Sequence, residues 1–238
     1  MRLLLISNST MPGGGYLDHC AAAILSVLDA GMTRVLFVPY AVSDHGQYVA
    51  KVRARFELMG LALDSVHDAA IGAVRAVEEA SALFVGGGNT FRLLDALWQQ
   101  GLIDPIRERA RAGMPYVGVS AGTNVACPTI GTTNDMPIVE PPTLGALGLV
   151  SFNLNPHFQD AVAGSTHMGE TREQRIAEFH EEHARPVVGL REGAWLIVEG
   201  SSVRLEGTNG ARLFRRGMAP VELAVGEPVS AALGPPAA

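Results

Sequence analysis

The stretch Tyr116-Val117-Gly118-Val119-Ser120-Ala121-Gly122-Thr123-Asn124 decides how the rest of the chain is read. A β-favouring run ends in Gly-Val-Ser-Ala-Gly, and small residues follow. That order fits G-x-S-x-G, the sharp strand-to-helix turn that holds a serine hydroxyl clear of its own backbone. The flanking glycines permit the turn because a Cβ at either position would crowd it. Ser120 is therefore a candidate nucleophile at the carboxyl end of a strand.

Upstream, strand and helix signals alternate. Leu3-Leu4-Leu5-Ile6 is a continuous apolar run that stops at Ser7-Asn8-Ser9-Thr10, as a buried strand of a parallel sheet would. Val35 to Val38 is a second strand closed by Pro39, Leu61 to Val66 a third, and Ala82 to Val85 a fourth that runs into Gly86-Gly87-Gly88-Asn89-Thr90. Helical spacing fills the gaps at Leu17 to Leu28, Tyr48 to Met59, about Ala69 to Ala80, Phe91 to Gln100 and Ile103 to Arg111. This alternation predicts an α/β fold, a mostly parallel sheet with helices on both faces. Such sheets gather their working groups at the carboxyl ends of the strands, where Ser7 to Ser9, Gly86 to Thr90 and Ser120 all fall.

Downstream the character changes. Cys127 to Gly148 is rich in Pro, Thr and Gly and predicts a long ordered loop or small hairpin. Phe152 to Asn155 leads into Pro156-His157-Phe158, and Thr171-Arg172-Glu173-Gln174 is a capping box opening a helix to about His183. Val187 to Leu190, Ala194 to Val198, Ser202 to Leu205 and Ala211 to Phe214 are short strands separated by turns, expected as the far edge of the sheet plus antiparallel hairpins. The tail from about Glu227 is expected to fray. No repeat or linker divides the chain, so residues 1–238 are read as one domain.

Composition narrows the function. Of 238 residues, 47% are hydrophobic and 18% charged, enough to bury a sizeable core. A net charge of −6 without a basic run argues against nucleic acid or an anionic membrane as partner. Two cysteines, Cys20 and Cys127, are too few for a disulfide framework, and no signal peptide or membrane span is visible. A cytoplasmic protein, monomer or homodimer, is the expectation.

A serine hydroxyl needs a base, and the base needs a group to orient it. His157 stands out among seven histidines because Asn155-Pro156-His157-Phe158 follows a strand, where a fixed backbone can aim the ring. Two acids compete to orient it: Glu192, at the turn after Val187 to Leu190, and Asp135, in the loop that leaves the nucleophile helix. Pattern alone leans towards Glu192 for the triad and towards Asp135 for support or substrate binding, and leaves both open. Gly86 to Thr90 offers free N–H groups at a helix start; Gly88 N–H with Ala121 N–H would form an oxyanion hole, with Asn89 beside them for substrate. A nucleotide loop is the competing use, but G-x-G-x-x-G with its downstream acid and the Walker lysine are both missing. His180-x-x-His183 is thin evidence for a metal, and neither metal nor cofactor is expected.

The collinear stretches Leu4 to Thr10, Val85 to Phe91, Ser120-Ala121-Gly122, Ala126 to Ile130, Thr132 to Val139, Asn155 to Phe158 and Gly169 to Arg175 resemble serine peptidase family S51, the α-aspartyl dipeptidases. The resemblance implies a fold like class I glutamine amidotransferases, with serine replacing cysteine at the elbow. It also implies hydrolysis of Asp-Xaa dipeptides without a cofactor. Ser120 then corresponds to the nucleophile and His157 to the base, while Glu192 and Asp135 both match proposed triad acids. Residue 119 departs from the pattern, Val in place of Trp, and the region from Gly164 to His167 is expected to shape a lid. Chemistry adds Arg172, at a helix start, as a clamp for the aspartate carboxylate. Asp135 or Glu170 would then hold the free ammonium. A cyanophycinase-like peptidase and a non-catalytic binding protein are the alternatives.

Overall fold

The structure, a computed structural model, describes residues 1–28, 31–161 and 169–233. The expected lid residues Gly164 to His167 lie outside the described residues.

Five parallel strands form the centre: β1 (Arg2–Ile6), β2 (Arg34–Val38), β3 (Ala62–Ser65), β4 (Leu83–Val85) and β5 (Tyr116–Val119). With β8 (Ala194–Glu199) and β9 (Ser202–Gly207) they make a seven-stranded sheet in the order β3-β2-β4-β5-β1-β8-β9. The last two strands run antiparallel, as the sequence hairpins predict. The continuous apolar runs have a simple cause. Leu3 and Leu5 face one hydrophobic cluster while Leu4 and Ile6 face another, so none of these four positions points to water.

Helices cover both faces. On one, α1 (Ala21–Val27) and α2 (His45–Leu58) bury Ile24, Val49, Val52 and Phe56. On the other, α3 (Ala73–Glu79), α4 (Thr90–Gln99), α5 (Ile103–Arg111) and α6 (Ala121–Val125) pack Val77, Leu93, Leu97, Ile106 and Val125. Helix α1 starts later than its periodicity predicts because Leu17 adopts φ 58°, a left-handed conformation that no α-helix contains.

The C-terminal strands do not all join the main sheet. β6 (Asn153–Phe158), β7 (Val187–Arg191), β10 (Ala211–Phe214) and β11 (Val221–Leu223) form a second sheet, ordered β11-β10-β7-β6. Helix α7 (Arg172–Glu182) lies between the parallel β6 and β7 in sequence, and its capping box at Thr171 and Gln174 is fully formed. Val188, Leu190 and Leu213 from this sheet share a cluster with Leu3, Val85 and Tyr116 from the first. The chain passes from one sheet to the other through the short turn at Glu192 and Gly193, where Gly193 has φ 82°.

Residues 227–233 are anchored, where a loose end was expected from Glu227 onward; the last five residues lie outside the described ones. Val229 and Leu233 are buried, Val229 N–H donates to Val203 O at 2.9 Å, and α8 (Ser230–Leu233) follows. Apolar side chains at 229 and 233 supply the anchor that the neighbouring prolines obscure.

Candidate active site

Strand β5 delivers Ser120 into a conformation that few side chains adopt, with φ 53° and ψ −107°. Steric facts around it explain the motif's glycines. A Cβ on Gly118 would lie 2.5 Å from Gly122 O, and one on Gly122 would lie 2.1 Å from Val85 O. Tyr116 hydroxyl donates to Gly122 O at 2.6 Å, and Thr123 hydroxyl lies within bonding distance of Ile6 O and Gly118 O at 2.7 and 2.9 Å. Ser120 N–H is tied to Ile6 O at 3.0 Å. The strained turn is therefore fixed from both sides, which is how such strain persists.

His157 also has a left-handed backbone, φ 54°, and sits at an irregularity where the β6–β7 register shifts between Pro156 and Phe158. The shift takes its ring out of the regular alternation and points it across the seam between the sheets. Nε2 lies 3.1 Å from Ser120 Oγ, and Nδ1 lies 2.6 Å from Glu192 Oε1. With Nδ1–H donating to the carboxylate, Nε2 is left as an acceptor for the serine proton. Glu192 is held by its backbone: Asn209 donates to Glu192 O at 2.6 Å, and Gly193 N–H donates to Asn8 Oδ1 at 2.8 Å.

Asp135 is placed elsewhere. Its Oδ2 accepts Thr90 N–H at 2.7 Å and Thr90 hydroxyl at 2.6 Å, so it caps the N-terminus of α4, where the helix dipole favours a carboxylate. The loop carrying it is fastened along β6. Asn155 donates to Thr132 O, Thr132 hydroxyl to Leu154 O, and Asn134 to Pro156 O, all at 2.7 to 2.8 Å. Asp135 thus lines the same cleft as Ser120 and His157 without bonding to either. Its Oδ1 has no hydrogen-bond donor among the described residues.

Four of the remaining candidates have mixed fates. Gly88 and Ala121 N–H have no acceptor among the described residues, as an oxyanion hole requires. Asn89, expected to touch substrate, is spent on structure: its carbonyl caps Arg92 N–H at 3.0 Å and its amide donates to Met136 O at 2.9 Å. The N-cap preference for asparagine just ahead of a helical pattern was the signal for that role. Glu170 pairs with Arg175 at 3.5 Å and does not line the cleft.

Arg172 does not line the cleft either, yet it makes no hydrogen bond or ion pair among the described residues. Burial lowers its guanidinium from the ordinary value, Arg175 adds to that, and the charge of Asp135 opposes both.

The cleft measures about 840 Å³ and is lined on the α2 side by Tyr16, Asp44, Gln47, Tyr48 and Lys51. A separate hollow of about 510 Å³, beside Arg34, Arg53 and Asp68, contains none of the candidates. Among the described residues no cluster of three or more His, Cys, Asp or Glu could hold a metal ion, and no helix is long and apolar enough to cross a membrane.

Sequence reasoning missed the residues that hold the others. Ser7, fully buried, accepts His157 N–H at 2.9 Å and donates to Leu190 O at 2.8 Å. Asn8, Asn209 and Thr90 serve Glu192 and Asp135 in the same way. A polar Ser-Asn pair at a strand end was the available sign for the first two.

Residues 3–206 match the model of peptidase family S51. The chain is 54% identical to a Peptidase E of Streptomyces coelicolor, over 97% of this chain and 94% of that one. It is 48% identical to a probable alpha-aspartyl dipeptidase of Drosophila melanogaster, over 93% of each. Among solved structures, a putative peptidase E protein of Listeria monocytogenes superposes with TM-score 0.65 at 22% identity, covering 87% of this chain and 98% of that one. A peptidase of an acI-B1 actinobacterium superposes with TM-score 0.71 at 18% identity, covering 95% of each. These two share the fold.

Proposed function

This chain belongs to peptidase family S51 and so hydrolyses peptide bonds, and from that premise we propose that it cleaves Asp-Xaa dipeptides through an acyl-enzyme on Ser120. The observation that carries the reading is the line of contacts Ser120 Oγ–His157 Nε2–His157 Nδ1–Glu192 Oε1. His157 takes the hydroxyl proton as Ser120 Oγ attacks the scissile carbonyl carbon. Glu192 stabilises the imidazolium that forms, and Gly88 and Ala121 N–H receive the developing oxyanion. His157 then gives its proton to the departing amine, and water repeats the sequence in reverse to release the acid.

Selectivity for aspartate rests on two charges that interact with each other, Asp135 in the cleft and Arg172 at the start of α7. Arg172, a planar donor without a partner among the described residues, clamps the substrate's side-chain carboxylate. The free Oδ1 of Asp135 receives the substrate ammonium. Cys20 and Cys127 are buried free thiols in different hydrophobic clusters, an arrangement that the proposed cytoplasmic setting allows.

The test is product release from Asp-Leu, Leu-Asp and Glu-Leu, each with Ser120→Ala as control. Asp-Leu alone is expected to turn over, and only with Ser120 present. N-acetyl-Asp-Leu is expected to be a poor substrate. No turnover of Asp-Leu, or turnover undiminished in the variant, defeats the reading.

A further inference from the structure

The charges around Ser120 are sorted by sheet face. Asp135 lines the cleft from the side of α4, whose Leu93, Leu94 and Leu97 pack into one cluster, and its charge acts on the Arg172 guanidinium at the start of α7. Across the sheet edge, α2 packs Val49, Val52 and Phe56 into the other cluster and presents Lys51 to the cleft. Lys51 Nζ lies 4.4 Å from the centroid of the Tyr16 ring, a cation–π contact that steadies a side chain otherwise free to roam. No carboxylate pairs with it among the described residues. The acid lining the cleft beside it, Asp44, is already engaged, its Oδ1 accepting Gln47 N–H at 2.9 Å to cap α2. The Tyr16 and Tyr48 hydroxyls lie 3.2 Å apart below. Burial raises both phenols above their ordinary values, so both remain neutral.

An acid beside a guanidinium suits a residue that carries one ammonium and one carboxylate, which describes an N-terminal aspartate. A lone cation on the far side of the nucleophile suits a group that carries one carboxylate and nothing else. We infer that Lys51 binds the free α-carboxylate of the leaving residue and thereby confines the enzyme to dipeptides. A longer peptide presents a neutral amide at that point, and Lys51 would gain no charge-assisted bond from it. The inference rests on the dipeptidase reading of the same cleft and adds the residue that recognises the other end of the substrate.

The experiment compares kcat/KM for Asp-Leu with that for Asp-leucinamide, which lacks only the carboxylate. Wild-type protein is expected to prefer Asp-Leu about tenfold or more, the worth of one charge-assisted hydrogen bond at a partly exposed site. Lys51→Met is expected to collapse that ratio towards one, chiefly through a higher KM for Asp-Leu, while Lys51→Arg retains most of it. Thermal melting of each variant checks that the fold is kept. A wild-type ratio near one, or a ratio unchanged by Lys51→Met, overturns the inference and leaves the dipeptidase reading standing. Failure of the wild type to cleave Asp-Leu overturns both.

Discussion

Ser7 and His157, 150 residues apart in sequence, share the hydrogen bond that fixes the backbone of the proposed base: the buried Ser7 hydroxyl accepts His157 N–H at 2.9 Å and donates to Leu190 O. The same hydroxyl therefore joins the end of β1 to both strands that supply the relay. Ser7→Ala leaves a donor and an acceptor without partners, at a cost of about 1–3 kcal/mol. The expected result is a melting temperature lowered by several degrees and kcat reduced on the order of tenfold, with KM little changed. Equal kcat in variant and wild type would show that His157 holds its φ without help.

Glu192 and Asp135 are expected to respond differently to loss of charge. Glu192→Gln keeps an acceptor oxygen but removes the charge that stabilises the His157 cation, and its NH2 can face Nδ1 and favour the wrong tautomer. Because the side chains of His157 and Glu192 are 40% and 41% exposed, solvent compensates in part. The expected fall in kcat is therefore on the order of 10²-fold, below the roughly 10⁴-fold of a fully buried triad acid. Asp135→Asn should act mainly on KM, and weaken the α4 N-terminus by about 0.5–1 kcal/mol. Steady-state kinetics of both variants separates the two roles; a larger kcat loss in Asp135→Asn reverses the assignment.

Gly87 stands so close to the nucleophile that a Cβ there would lie 3.1 Å from Ser120 Cβ and 3.3 Å from Val119 O. Both neighbours belong to the fixed elbow and cannot retreat. Gly87→Ala is expected to lower kcat/KM on the order of 10²-fold by displacing Ser120, with a stability loss of about 1–3 kcal/mol. Full activity in this variant would mean that the elbow yields where its hydrogen bonds say it should not.

Acid sensitivity has a specific source in the second sheet. Arg191 binds Asp160 through two bonds of 2.7 and 2.8 Å and reaches Glu222 at 3.0 Å. The hydrogen bond from Arg191 is the main cause holding the Asp160 carboxyl below its ordinary value of 3.8, and Arg191 and Arg212 add their charge. A depressed carboxyl contributes stability that is present above its unfolded value and is lost as pH falls through the folded one. Half-exposed as it is, Asp160 contributes about 1 kcal/mol or less. Melting curves between about pH 5 and about pH 2 should show a shallower acid decline for Asp160→Asn than for wild type. Parallel declines would place the acid sensitivity in other carboxylates.

The main sheet was legible because its inner strands β1, β4 and β5 are buried on both faces, which gives Leu3 to Ile6 and Ala82 to Val85 their continuous apolar runs. The second sheet was not. Val187 to Leu190 and Ala194 to Val198 look alike as sequence, and only the turn at Gly193 sends them to different sheets. Ser120 announced itself through glycines that have no room for a Cβ, and His157 through its strand-end setting. The choice of acid stayed open because both acids are turn residues by composition. What separates them is a register shift at His157 and a helix start at Thr90, neither of which is a local property. Asn89 was open to two readings because a residue that caps a helix and one that meets substrate occupy the same place beside a glycine loop.

Ser120 follows β5 of the seven-stranded sheet, His157 lies in β6 of the four-stranded one, and Glu192 sits in the turn that joins the two. On the proposed mechanism neither sheet is a hydrolase alone: each contributes a half-site, and turnover depends on aligning the halves to within about 0.5 Å. An elbow transplanted to another scaffold without its companion would display a serine as inert as any on a surface. Within this chain, the rate of peptide cleavage is for the same reason expected to be a finer gauge of inter-sheet alignment than melting temperature, which reports the hydrophobic cluster that both sheets share.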